Sequence, residues 1–156
     1  MAQNTGNIKV VYNNKRATFD YELLERFEAG LVLTGTEIKS VRGNMVSLQQ
    51  SYVQARGDEL WLLEANIAQY VHGNRENHDP KRPRKLLLHR REINRILTNL
   101  AQKGLTVVPT RLYLKDGRAK VEIALARGKR KFDKREDIAR RDADRQVERA
   151  LREKFR

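Results

Sequence analysis

Two alternating runs, residues 105–114 and 118–125, meet at Lys115-Asp116-Gly117-Arg118. Asp-Gly is a preferred pair for a tight two-residue connection, because both central residues must take positive φ. This is the strongest constraint in the chain: it demands a long antiparallel hairpin, with Pro109 marking a bulge or an edge position. A second hairpin signal lies upstream, where the apolar runs 51–54 and 60–63 flank Arg56-Gly57-Asp58-Glu59. Residues 65–71 read as an extension of its second arm. Ile8 to Tyr12 alternates as a short strand does, and Gly30-Leu31-Val32-Leu33 reads as another. Residues 18–33 as a whole carry both a strand and a helix pattern.

Helical signals are fewer. Ile93, Ile96, Leu97 and Leu100 recur at i, i+3, i+4 and i+7, so 91–103 is an amphipathic helix with Lys103 at its negative end and Gly104 as its C-cap. Thr36 with Glu37 starts a short helix that Gly43 stops. Residues 72–84 read as a long polar loop. About six short strands and one good helix describe a mainly β fold, a small antiparallel barrel with helices packed at its ends.

After Arg127 the character changes. Only Phe132, Ile138, Val147, Leu151 and Phe155 are sizeable and apolar in the last 29 residues. The organisation that follows is a polar, disordered 1–7, a folded body over 8–127, and a basic tail over 128–156. The tail has acid-first pairs, Asp137 with Arg141 and Glu148 with Arg152, each worth only about 0.2–0.5 kcal/mol. With so narrow an apolar stripe, the expectation is a tail disordered when free and helical on a polyanion.

Charge points to the kind of partner. Lys and Arg number 33 against 20 acidic residues, a formal +13, which favours phosphate-rich surfaces. With no cysteine, disulfides, thiolate catalysis and cysteine-bound zinc are excluded. No segment approaches the ~20 apolar residues of a membrane span and no secretory signal is visible. The expected location is the cytoplasm, with no membrane partner. No seam predicts a dimer, so a monomer is expected.

Three constellations are candidates for RNA contact: the basic loop Lys81, Arg82, Arg84 and Lys85 leading to Leu87 and His89; Glu28 with Lys39 and Arg42; and the tail element Gly128, Lys129, Arg130, Lys131, Asp133, Lys134 and Arg135. Cations neutralise phosphates and release counterions, His89 can stack on a base, and Glu28 can accept from a guanine edge or orient an arginine. His72, His78 and Asp79 offer superficial metal ligands without a compact spacing. Phosphate-cradling glycine loops and nucleophile elbows are absent. No metal, cofactor or catalytic residue is expected, and the chain is not read as an enzyme.

An ordered series of blocks carries a resemblance. Asn14-Lys15-Arg16-Ala17, the run from Phe27 to Arg42, Ser51-Tyr52-Val53, Ala65-Asn66-Ile67, the run from Asp79 to Leu88, and Gly128 to Arg135 together resemble the SmpB (small protein B) family, the SsrA-binding proteins of bacterial trans-translation. The resemblance covers about residues 8–150. It implies an oligonucleotide-binding (OB)-like barrel with flanking helices, bound to the tRNA-like domain of tmRNA. It implies delivery of alanyl-tmRNA to stalled ribosomes with elongation factor Tu and GTP. The tail would occupy the decoding site and the vacant mRNA channel. Family RNA contacts map onto Glu28, Leu87 and His89, with His89 where many relatives have Asn. The ribosome-facing element maps onto Gly128, Lys129, Arg130, Asp133, Lys134 and Arg135, with Arg130 replacing a frequent Lys. Val147 and Leu151 align as tail apolar positions. The rival readings are a structural ribosomal or general RNA-binding protein and, more remotely, a nuclease using Asp79, His78 and Glu28.

Overall fold

The computed structural model describes residues 7–72, 77–102, 104–129 and 131–154. Nine strands and four helices are present among them. In chain order they are β1 (Ile8–Asn13), α1 (Lys15–Asp20), β2 (Tyr21–Leu31), α2 (Gly35–Arg42), β3 (Val46–Ser47), β4 (Tyr52–Arg56) and β5 (Glu59–Leu63). Then come β6 (Asn66–Ile67), β7 (Arg84–Leu87), α3 (Arg90–Ala101), β8 (Thr106–Lys115), β9 (Arg118–Gly128) and α4 (Lys131–Lys154).

The β8–β9 hairpin forms as its turn demands. Asp116 and Gly117 take φ of 51° and 80°, and Lys115 faces Arg118. The ladder slips between Pro109 and Arg111, which is the bulge that Pro109 announces. From this hairpin the pairing runs β8–β4–β5–β7–β2–β9 and returns to β8, so a ring-like sheet closes on itself, with β1 added alongside β8. All of its pairings are antiparallel. Closure removes most of the free edges that would otherwise invite association.

Inward-facing residues of the ring make one core, including Phe27, Ala29, Leu60, Leu62, Leu86, Leu112, Val121 and Ile123, capped by Ile93 and Ile96 of α3. Alternation puts Arg26 and Glu28 of β2 outside while Phe27 and Ala29 go in. This alternation displays the functional side chains described below.

Several expectations need correcting. The ambiguous 18–33 segment splits at Asp20–Tyr21: α1 ends there and β2 begins. Residues 65–71 do not prolong the second hairpin. Glu64 takes a left-handed φ of 61°, breaks β5, and sends β6 to pair with β3 in a separate two-stranded sheet. The polar loop ends one residue earlier than expected because β7 starts at Arg84 and bridges β5 to β2. Helix α3 stops at Ala101, and Gly104 then takes a φ of 63°. Lys103 lies outside the described residues.

At the N-terminus Asn7 is tied to the hairpin turn, its N–H donating to Asp116 Oδ1 at 3.1 Å and its carbonyl accepting from the Asp116 N–H. The expectation of disorder upstream of it concerns residues outside those described.

Residues 131–154 of the tail form one helix. The reason lies in propensity. The segment has no Gly or Pro, and Ala, Arg, Glu and Lys, all good helix formers, dominate it. Propensity acts over all 24 residues of α4, where the i,i+4 ion pairs act at single sites. Among the described residues, the main contact of this helix with the body is at α1.

Candidate RNA-binding cleft

The cleft is a consequence of hairpin register. Lys115 opposite Arg118 forces Tyr113 opposite Lys120 and Arg111 opposite Glu122. Strand β9 passes the register on to β2, with Lys120 opposite Gly30 and Glu122 opposite Glu28. Strand β7 completes the row by setting Leu87 opposite Gly30. Directly paired residues share a face. Tyr113, Lys120, Gly30 and Leu87 are therefore one outward row, and Arg111, Glu122 and Glu28 the next.

Gly30 contributes a notch to that row. A Cβ there would stand 3.4 Å from Leu87 Cβ and 3.7 Å from Lys120 Nζ, so glycine lets both neighbours lean over the strand. Leu87 is 53% exposed, an apolar platform on a basic surface. Glu28, Lys120 and Leu87 line the resulting hollow, which Leu88, His89 and Glu92 close on the α3 side. It continues past Gly30 into a second hollow bordered by Ile38, Arg118 and Ala119.

His89 reaches the cleft as the N-cap of α3. Its backbone is extended, and its N–H donates to Glu92 Oε1 at 3.2 Å. This holds the imidazole at the positive end of the helix, where anions are favoured.

Two glutamates face each other across β2 and β9, and each is satisfied separately. Glu122 takes Arg111 Nε at 2.9 Å, Arg26 Nη1 at 3.7 Å and the Thr110 hydroxyl at 3.0 Å. Glu28 accepts from the Tyr113 hydroxyl, and Lys115 Nζ lies 3.4 Å from its other oxygen. The Tyr113 hydroxyl is the main reason that the Glu28 carboxyl lies below its ordinary range; Lys115 and Lys120 add to this and partial burial opposes it. Burial, then the bond to Glu28, pushes the Tyr113 phenol well above its usual value, so it remains a donor.

The chain as a whole is similar to known proteins. The SmpB protein family model matches residues 11–153. The SsrA-binding protein of Chloroflexus aggregans is 55% identical over 157 aligned residues, covering 100% of this chain and 99% of that one. That of Roseiflexus castenholzii is 54% identical with the same coverage. A solved structure described as "tmRNA-SmpB: a journey to the center of the bacterial ribosome" superposes with a TM-score of 0.66 at 46% identity, covering 81% of this chain and 93% of its own. The chain belongs to the SmpB family.

Of the residues singled out from sequence, Glu28, Leu87 and His89 meet in this cleft. The others do not line it. Lys39 holds its ammonium 5.4 Å from the Tyr70 ring centroid, and Arg42 sits exposed in the last turn of α2. Lys81 pairs with Glu64 at 3.6 Å and Lys85 with Glu59 at 3.2 Å. Arg82 is drawn inward to Glu37 at 2.5 Å and to the Val32 carbonyl at 3.3 Å.

Arg84 is a correction: it is 0% exposed and does not reach the surface. Its Nε donates to Glu37 Oε2 at 2.6 Å, and its Nη1 and Nη2 donate to the Ala65 and Pro80 carbonyls at 2.7 and 3.1 Å. Glu37 is also wholly buried and needs these cations. Burial alone would raise the Glu37 carboxyl, but Arg82, the Thr34 N–H and Arg84 outweigh it and hold the group below its ordinary range.

His78 is structural as well. It is buried, its Nε2 donates to the Ile67 carbonyl at 2.8 Å, and its Nδ1 lies 2.9 Å from the Thr36 hydroxyl. Glu28 lies elsewhere, in the cleft, so the nuclease grouping of Asp79, His78 and Glu28 is not assembled. No group of three potential metal ligands occurs among the described residues.

In the tail, Gly128 ends β9 and the Lys129 N–H donates to the Asp20 carbonyl at 3.0 Å. The Lys129 ammonium pairs with Asp137, which replaces the expected Asp137–Arg141 pair and holds the Asp137 carboxyl below its usual range. Arg141 instead places its guanidinium 5.4 Å from the Phe19 ring centroid, and Lys134 pairs with Asp20 at 3.3 Å. Arg135, Val147 and Leu151 are exposed. No described ion pair joins Glu148 to Arg152. Arg130, Phe155 and the side chains of Lys131 and Asp133 lie outside the described residues.

Sequence reading missed Lys120, Tyr113 and Lys115 as members of the site. A signal existed: counting back from the Asp116-Gly117 turn pairs 113 with 120 and puts both on one face.

Proposed function

We propose that the protein is a noncatalytic adaptor of trans-translation that binds the tRNA-like domain of tmRNA in the Glu28–Leu87–His89 cleft. The body, residues 8–127, holds the RNA. The tail, residues 128–156, exchanges its docking on α1 for the decoding site and vacant mRNA channel of a stalled ribosome. The protein acts in the cytoplasm, as a monomer, and helps bring alanyl-tmRNA to the ribosome with elongation factor Tu and GTP. No described helix is long and apolar enough to cross a membrane.

One observation carries this reading. In a chain 55% identical along its length to an SsrA-binding protein, residues far apart in sequence converge on one cleft with complementary chemistries. Lys120 supplies positive charge for phosphate. Leu87 offers an apolar face against which an unstacked base or a ribose can pack. Glu28 accepts from base or ribose donors, and the His89 imidazole, where relatives often carry Asn, can donate or stack.

The direct experiment is to crosslink RNA to the protein in its host and sequence what is recovered. The expected product is tmRNA, with contacts clustered in its tRNA-like domain. Recovery of ribosomal RNA alone, from translating and stalled ribosomes alike, would instead make this a general ribosomal protein.

A further inference from the structure

Within this cleft Glu28 is out of keeping with its surroundings. The chain carries +13, and a carboxylate repels phosphate. Its use to an RNA ligand is to accept hydrogen bonds from base amino or imino groups or from a ribose 2′-hydroxyl. For that it must be ionised and aimed. A carboxylate offers about four lone-pair sites. The Tyr113 hydroxyl occupies one on Oε2 and Lys115 approaches Oε1 at 3.4 Å, leaving acceptor capacity on the cleft that Glu28 lines.

Tyr113 is held as a fixed support is. It is 2% exposed, its strand is paired on both sides through Val10 and Lys120, and the Arg111 guanidinium lies 4.9 Å from its ring centroid. Its hydroxyl therefore has one position, and that position is on Glu28. We propose that Tyr113 is the positioning residue of the cleft: without touching RNA, it aims the Glu28 carboxylate so that the carboxylate accepts from a base or ribose donor of the bound nucleotide. This rests on the cleft being the RNA site.

The other charged or titratable groups around this pair are accounted for. Lys115 and Lys120 flank Glu28 from β8 and β9, and His89 and Glu92 face the cleft from α3. Glu122, the cross-strand neighbour of Glu28, is engaged by Arg111 and Arg26. None of these supplies the aimed neutral donor that Tyr113 does.

The test is a double-mutant cycle in the full chain, reading affinity for an RNA comprising the tRNA-like domain of tmRNA. Tyr113→Phe removes one oxygen and keeps the packed ring. Tyr113→Phe and Glu28→Gln are each expected to weaken binding about tenfold, and the double variant to bind within about twofold of Glu28→Gln. The acid limb of binding should also begin at higher pH in Tyr113→Phe, because Glu28 loses the donor that does most to hold its carboxyl below the ordinary range. Thermal melting of each variant separates loss of aim from loss of fold. If Glu28→Gln weakens binding while Tyr113→Phe does not, or if Tyr113→Phe weakens it equally in the Glu28→Gln background with the acid limb unmoved, positioning by Tyr113 is overturned and the cleft stands. If Glu28→Gln binds as tightly as the parent, the carboxylate is not needed and positioning by Tyr113 is overturned, whereas the cleft itself falls only if Leu87→Ala and Lys120→Ala also bind as tightly as the parent.

Discussion

The cleft and the tail are the two candidate RNA-binding regions, and the fold treats them in opposite ways. In the cleft Glu28 is held by Tyr113 and the His89 backbone by the cap of α3, while Leu87 leans over the Gly30 notch. Among the described residues, the tail helix rests on α1 through Lys134 and Arg141, with Lys129 tying its start to Asp20, and it leaves Ile138, Val147 and Leu151 exposed. Burial of supporting groups separates the two regions, and it suits a rigid reader of structured RNA joined to an arm whose contacts are made elsewhere.

The largest expected effect comes from cutting between them. Deleting residues 128–156 should abolish tagging on stalled ribosomes while leaving affinity for the tRNA-like RNA within about twofold; a matching loss of both would merge the two regions into one.

Next comes the contrast between two neighbouring cations of β7. Arg84→Ala leaves the Glu37 carboxylate short of a buried partner and should cost about 3 kcal/mol or more in urea unfolding. Lys85→Ala removes only a half-exposed pair with Glu59 and should cost less than about 1 kcal/mol.

Glu37 also sets an acid limit. Its folded-state value lies below its unfolded one, so its contribution is full above the ordinary carboxylate range and is lost as pH falls through the folded value. Unfolding free energy should therefore drop on acidification below that range, and Arg84→Ala should flatten this slope because less of the depression remains.

The smallest effect belongs to the tail. Val147→Ala or Leu151→Ala should change body stability by no more than about 0.5 kcal/mol, since both side chains stand in solvent. A larger change would mean that α4 packs more firmly than its contacts indicate.

Much of this was legible in the residues. The Asp116-Gly117 turn and the alternation around it define the hairpin, and from its register the outward row follows by counting. The amphipathic stripe of α3 was equally plain, although the helix stops at Ala101, short of the expected Gly104 cap. What was hidden has physical causes. Strands β3 and β6 are two residues long, too short for any period to show. Strand β7 begins with Arg-Lys and looks like a solvated basic loop, because nothing local reveals that Glu37, 47 positions away, draws Arg84 into the interior. The same blindness assigned Arg84 to RNA. In the tail, backbone propensity summed over 24 residues favours a helix that the single ion pairs alone do not. Glu28, Leu87 and His89 were identified through family likeness; composition alone named the basic patches, most of which turn out to be paired with acids of the fold.

The central claim is that RNA recognition lives in the cleft and not in the cationic arm. The most direct measurement places a photo-crosslinking residue at position 87 in one full-length chain and at position 147 in another, each bound to labelled tRNA-like RNA without ribosomes. Crosslinking at 87 with little or none at 147 is the predicted result; crosslinking at 147 with none at 87 would contradict it.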